Sequence, residues 1–103
     1  MEDVVISSAV RTPMGGFQGD LDSFSASALG GIAIEGAMEK AGITRVDEVI
    51  MGNVLGAGQG QAPARQAGFA AGLDETVPAT TLNKMCGSGM KAAMIGFDQI
   101  KLG

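Results

Sequence analysis

Apolar and polar positions along this chain fall into blocks, and the period changes from block to block. Val4-Val5-Ile6 runs into Ser7-Ser8-Ala9-Val10, a short β-branched stretch stopped by Arg11-Thr12-Pro13. Such a run predicts a strand covered on both faces. From Ser23 to Ala41 the spacing lengthens. Ala26, Leu29, Ala33, Ala37 and Ala41 recur at helical intervals, Ser23 or Ser25 offers a cap, and Gly42 offers an end. The stripe is mostly alanine and is interrupted by Gly30, Gly31 and Gly36. A helix of that composition gains little from propensity and is expected to lie close against a neighbour. Val46 to Val54 predicts a second strand, centred on Val49-Ile50-Met51.

Pro63 fits the first turn of a helix reaching Ala71, with Gly72 beyond it. Ala62, at the cap position, has no side-chain acceptor, an absence worth about 1 kcal/mol against Ser or Asn there. Val77 to Leu82 predicts a third strand, with Pro78 tolerated at its start. Met90 to Leu102 predicts the last helix. Met90, Ala93, Met94, Phe97 and Ile100 share one face, and Ala92, Ile95 and Leu102 form a second strip. Two apolar strips predict packing on more than one side. The order β-α-β-α-β-α predicts an α/β fold with a mainly parallel sheet and right-handed crossovers.

Three glycine-rich loops leave the carboxyl ends of the predicted strands, where open α/β sheets hold their ligands: Arg11 to Gly19, Gly52 to Gly60, and Asn83 to Gly89. The first lacks G-x-G-x-x-G spacing. The second contains Gly56-Ala57-Gly58-Gln59-Gly60 without the Lys-Ser/Thr of a phosphate loop. The third holds Met85-Cys86-Gly87-Ser88-Gly89-Met90, with the only cysteine of the chain. A cysteine at a strand-to-helix turn faces unpaired N–H groups and the positive end of the helix dipole. That field favours a thiolate, the form that attacks acyl groups. The plain alternative is a small buried cysteine that packs a turn. Met85, Met90 and Met94 gather near it, either as core filling or as a flexible wall for an acyl chain, and Lys84 and Lys91 flank it.

Composition narrows the partners. Net charge is −4 and the seven basic residues form no run, which argues against a nucleic-acid surface. No apolar run has the length of a membrane span. The start Met-Glu-Asp-Val carries neither the basic region nor the apolar core of a signal peptide. A single cysteine makes no internal disulfide, so a reducing compartment, the cytoplasm, is expected. There is no histidine to serve as a base beside Cys86.

Asn83-Lys84-Met85-Cys86-Gly87-Ser88-Gly89-Met90-Lys91-Ala92 resembles the active-site block of thiolases, the acetyl-CoA C-acetyltransferases. Arg11-Thr12-Pro13-Met14-Gly15-Gly16-Phe17-Gln18-Gly19 resembles their first-loop motif. Ala57-Gly58-Gln59-Gly60-Gln61-Ala62-Pro63-Ala64-Arg65-Gln66-Ala67 resembles the start of their second helix. The three blocks occur in order over essentially the whole chain. The resemblance implies that Cys86 takes an acyl group from an acyl-CoA and that its N–H helps form an oxyanion hole. A second acetyl-CoA then attacks the thioester, or thiolysis runs the reaction backwards. Coenzyme A thioesters are thus substrates, and no resident cofactor or metal is expected. The Arg11, Gln61 and Arg65 blocks are expected to be architectural.

Members of the family are much longer and built of two similar halves, and they form oligomers. The resemblance therefore implies that residues 1–103 are a partial N-terminal domain ending after the nucleophile helix. Its partners would be acetyl-CoA or another acyl-CoA and the remainder of the thiolase fold, and by itself it would be inactive. The competing reading is a non-catalytic fragment or interaction module of the same fold. A small redox protein using Cys86 is a third reading, and no second cysteine is there to resolve it.

Overall fold

The computed structural model describes residues 3–103; Met1 and Glu2, part of the start read above for a signal peptide, lie outside the described residues. Three helices and two strands follow one another as α1 (Ala26–Ala41), β1 (Val49–Gly52), α2 (Pro63–Ala70), β2 (Ala79–Leu82) and α3 (Ser88–Leu102). β1 and β2 pair in parallel, with Val49 opposite Ala79 and Gly52 opposite Leu82. The α/β class and the parallel sheet match the pattern. So do the helices, with ends moved by a few residues: Ser25, not Ser23, caps α1 through its hydroxyl, and Gly42 closes it in the left-handed conformation.

The first predicted strand is a correction. Residues 4–10 form no strand, and among the described residues the sheet has two strands, not three. The segment is instead tied to α1. The Ser8 hydroxyl donates to the Ala37 carbonyl at 2.8 Å, and Lys40 Nζ donates to the Ala9 carbonyl at 3.2 Å. A groove of about 390 Å³, lined by Ser7, Val10, Ile34 and Ile50 among others, lies between this segment, α1 and β1. The physical reason is cover. A β-branched run reads as a strand buried on both faces, yet Val5 and Ile6 are 78% and 87% exposed.

Alternation along β1 sorts the helices into layers. A Cβ built at Gly30 of α1 would meet the Met51 methyl at 3.3 Å, and one built at Gly52 would meet Ser88 of α3 at 2.6 Å. Met51 and Gly52 are adjacent and point to opposite faces. α1 and α2 therefore cover one face and α3 the other. The α1–α2 layer is built from small residues, as the alanine stripe predicted. Ala64 and Ala67 are essentially buried, and a side chain at Gly31 would come within 2.6 Å of the Ala70 methyl.

The missing cap of α2 is supplied by tertiary structure. Ala62 is left-handed and makes no side-chain cap, but Thr81 of β2 accepts the Ala64 N–H at 2.9 Å. Thr81→Val keeps the shape and strands that N–H in a buried site. The urea midpoint should fall by an amount equivalent to about 1–2 kcal/mol; an unchanged midpoint would show that the bond contributes nothing.

α3 departs from the expectation of packing on two sides. Its Ser88 and Ala92 are buried against β1, while Met90, Met94, Phe97 and Ile100 on the other strip are 47–74% exposed. The whole chain exposes 7489 Å², against about 5,400 Å² for a compact chain of this mass by the usual scaling. It is also elongated, at 46 × 28 × 25 Å. An apolar strip of this size drives association. We expect the isolated chain to self-associate, and a single monomer boundary in sedimentation at tens of micromolar would contradict this.

Candidate functional site

β2 delivers the chain to the carboxyl end of the sheet, and α3 starts after five intervening residues. Between them lie Asn83-Lys84-Met85-Cys86-Gly87. The chain must reverse here within one turn, and Met85 does so at φ 49, a left-handed conformation uncommon for a residue with a side chain. Gly87 N donates to the Lys84 carbonyl at 3.0 Å, and Ser88 N donates to the Met85 carbonyl at 3.1 Å. The Ser88 hydroxyl accepts the Lys84 N–H at 2.8 Å and donates to the Met85 carbonyl at 2.6 Å. Asn83 Oδ1 accepts the Met85 N–H at 2.9 Å, and its amide donates to the Val54 carbonyl at 3.3 Å. None of these bonds uses the N–H of Cys86.

Cys86 is a free, exposed thiol in the middle of this closed turn. That removes the reading of a cysteine that merely packs. No side chain caps α3; the Ser88 N–H is taken by the Met85 carbonyl, and the N–H groups that follow it in the first turn have no side-chain acceptor. An exposed thiol thus stands at the uncapped start of a helix, where backbone N–H groups can accept a developing negative charge. The methionines do not fill a core: Met85, Met90 and Met94 are 67%, 74% and 51% exposed. Lys84 is exposed and Lys91 half-buried.

The second loop meets this turn through Asn83 and Val54, and Asn53 N donates to the Leu82 carbonyl at 2.9 Å. Its own shape is kept by two glutamines. Gln59 Nε2 donates to the Leu55 carbonyl at 2.6 Å, and Gln66 Nε2 donates to the carbonyls of Gln59 and Gln61 at 2.8 and 2.6 Å. Arg65 faces the other way. Its guanidinium donates to the carbonyls of Glu75 and Val77 at 2.8 and 3.0 Å and lies 5.5 Å from the Phe69 ring centre. Beside it the hydroxyl and the N–H of Thr76 hold the Asp74 carboxyl below its usual 3.8. Arg11 reaches only the neighbouring Thr12 carbonyl, at 3.1 Å. The side chains of Gln59, Gln66 and Arg65 thus brace loops, and their bonds, like that of Arg11, do not involve the Cys86 turn.

Sequence reasoning singled out Cys86 and missed Asn83, Ser88 and Gly52 as its supports. Asn and Ser at a turn are a general signal; the contact between Gly52 and Ser88 has no signal in a single sequence. Among the described residues no group of acidic, histidine or cysteine side chains has the arrangement to hold a metal ion. No helix among them is long and apolar enough to cross a membrane.

Comparison with known proteins agrees with this fold. The family model for the thiolase N-terminal domain matches residues 4–103. The mitochondrial acetyl-CoA acetyltransferase of Xenopus tropicalis is 55% identical over 105 residues, covering 100% of this chain and 25% of that protein. The mitochondrial acetyl-CoA acetyltransferase of Homo sapiens is 53% identical with the same coverage. A crystal structure of a thiolase from Ascaris suum in complex with coenzyme A superposes with a TM-score of 0.96 at 40% identity, over 99% of this chain and 27% of that one. The chain spans about a quarter of the length of these relatives. The vertebrate relatives are named as mitochondrial proteins, so the expectation of a cytoplasmic protein draws no support from them.

Proposed function

Because the chain belongs to the thiolase N-terminal domain family, we propose that it carries the acyl-accepting nucleophile of an acyl-CoA acyltransferase, and that this nucleophile is Cys86. The observation that carries the reading is the exposed thiol at the start of α3, beside N–H groups that no side chain caps. The step is a thioester exchange. The Cys86 sulfur attacks the acetyl carbonyl of acetyl-CoA, and the carbon–sulfur bond to coenzyme A breaks. The thiol proton of Cys86 ends on the departing coenzyme A sulfur, through water. One thioester replaces another, so neither a redox partner nor a metal is needed for balance. During attack the carbonyl oxygen becomes an oxyanion, for which the Cys86 N–H and the uncapped N–H groups at the start of α3 are the candidate donors. Such donors contribute about 10²–10³-fold each in enzymes built this way.

In this reading the partners are acetyl-CoA or another acyl-CoA and a complementary portion of the thiolase fold, and the working unit is an oligomer. Residues 1–103 act as a partial domain. Incubating the chain with acetyl-CoA should add one acetyl mass at Cys86, lost in Cys86→Ser. An unmodified mass, both alone and with the remainder of a thiolase relative supplied in trans, under conditions where iodoacetamide does alkylate Cys86, would exclude the acyl-acceptor role. A second reading, a module of this fold without activity of its own, is favoured by the bare apolar strip of α3; it requires that same unmodified mass.

A further inference from the structure

The residue before the nucleophile is held in a conformation it would not choose. Met85 stands at φ 49, and both of its backbone polar groups are taken by side chains from either side of Cys86. Asn83 Oδ1 accepts its N–H at 2.9 Å, and the Ser88 hydroxyl donates to its carbonyl at 2.6 Å. Both side chains are themselves anchored. Ser88 is only 5% exposed, and the same hydroxyl accepts the Lys84 N–H at 2.8 Å. Its Cβ lies 2.6 Å from where a Cβ would stand on Gly52. Asn83 is joined to the second loop through the Val54 carbonyl at 3.3 Å.

We propose that Asn83 and Ser88 are positioning residues for acyl transfer: together they keep Met85 left-handed, and through that one dihedral angle they aim Cys86 and its N–H out of the turn. The proposal rests on Cys86 as the acyl acceptor but is tested by a reaction that does not involve acyl groups. Released from either side chain, Met85 moves to an ordinary right-handed or extended conformation, and the competent orientation of Cys86 becomes a minor population. The observed rate then falls to the fraction that remains competent.

Iodoacetamide alkylation of the 103-residue chain, followed by intact mass across pH 6–9 (a range of about three units around the ordinary thiol value), tests this. Asn83→Ala and Ser88→Ala should each slow alkylation by about tenfold, which is about 1.4 kcal/mol and of the order of the strain in one left-handed residue. Met85→Gly should restore much of the rate in either background, because glycine adopts φ near +50 without steric cost. Rescue is read beside the urea midpoint of each variant, because glycine at a left-handed position also relieves strain in the fold; the discriminating result is a rate that falls and returns while the midpoint of the folded variants does not follow it. Ser88→Ala is the variant at risk of unfolding. Asn83 is exposed, so Asn83→Ala with and without Met85→Gly carries the test by itself if circular dichroism shows Ser88→Ala unfolded. Unchanged alkylation in folded Asn83→Ala, or slowed alkylation that Met85→Gly leaves slow, overturns the proposal. An acetyl adduct on the parent chain together with unchanged variant rates leaves Cys86 as acyl acceptor and removes only the positioning role. No adduct with the rescue pattern intact does the reverse.

Discussion

Gly52→Ala should lower the thermal midpoint by more than ten degrees and disorder the Cys86 turn. A methyl at this position would lie 2.6 Å from both the carbonyl carbon and the Cβ of Ser88, and 2.8 Å from the Gly89 nitrogen. Carbon atoms in contact prefer about 3.5–4.0 Å, so the start of α3 must retreat by roughly an ångström from β1. Two of the three clashing atoms are backbone, and no rotamer change relieves them. Overpacking of this kind costs typically about 1–3 kcal/mol, occasionally more. At the upper end this is roughly 12–24 °C for a domain of this size. Gly96→Ala is the matched control on the same helix. Nothing lies within 4 Å of a Cβ there, and replacing a helical glycine should add about 0.5–1 kcal/mol. Equal midpoints for Gly52→Ala and the parent, by circular dichroism at 222 nm (the helix band, needed because the chain has no Trp or Tyr), would mean that β1 and α3 are not in contact as described.

The 103-residue chain alone should show no measurable condensation or thiolysis. Taking a proton from the second acetyl group needs a positioned base, worth about 10²–10⁴-fold, and its enolate oxygen needs donors worth about 10²–10³-fold each. There is no histidine and no second cysteine in the chain. The next acid beyond Cys86 in the sequence is Asp98, which lies about three turns along α3, roughly 18 Å of helix from the thiol at 1.5 Å per residue. The combined deficit is on the order of 10⁴–10⁷-fold. Supplying the other three quarters of a thiolase relative in trans should restore thiolysis of acetoacetyl-CoA, and Cys86→Ser should abolish it again. Turnover by the pure chain, lost in Cys86→Ser, would show that the base lies among these residues.

Where a local signal decides an element, the sequence was enough. Ser25 and Gly42 bound α1, Pro63 opens α2, and the glycines after Cys86 mark the turn into α3. Periodicity also separated the two strips of α3, but it could not say that only one of them has a neighbour within the described chain. The same limit explains residues 4–10. A β-branched run states what would be buried if cover were present, and Val5 and Ile6 have none. Thr81 capping α2 and Ser88 lying on Gly52 join residues far apart in the chain. Each is a tertiary coincidence that no window of neighbouring residues contains. Cys86 was legible because its chemistry is rare, and the side chains that hold it were not, because theirs is common.

The parallel pairing of β1 with β2 also sets an order of events in folding. Every rung of that ladder joins residues 30 apart, as Val49 with Ala79 and Gly52 with Leu82. Closing a loop of that length costs about 3 kcal/mol of chain entropy, and no sheet hydrogen bond is formed before it is met. Helices α1, α2 and α3 have only local bonds to make and can flicker into existence earlier. The turn around Cys86 cannot, because Asn83 leans on Val54 and Ser88 on Gly52 across the same gap. The thiol therefore gains its geometry only as the crossover closes, and a collapsed but unpaired chain carries a cysteine of no particular character.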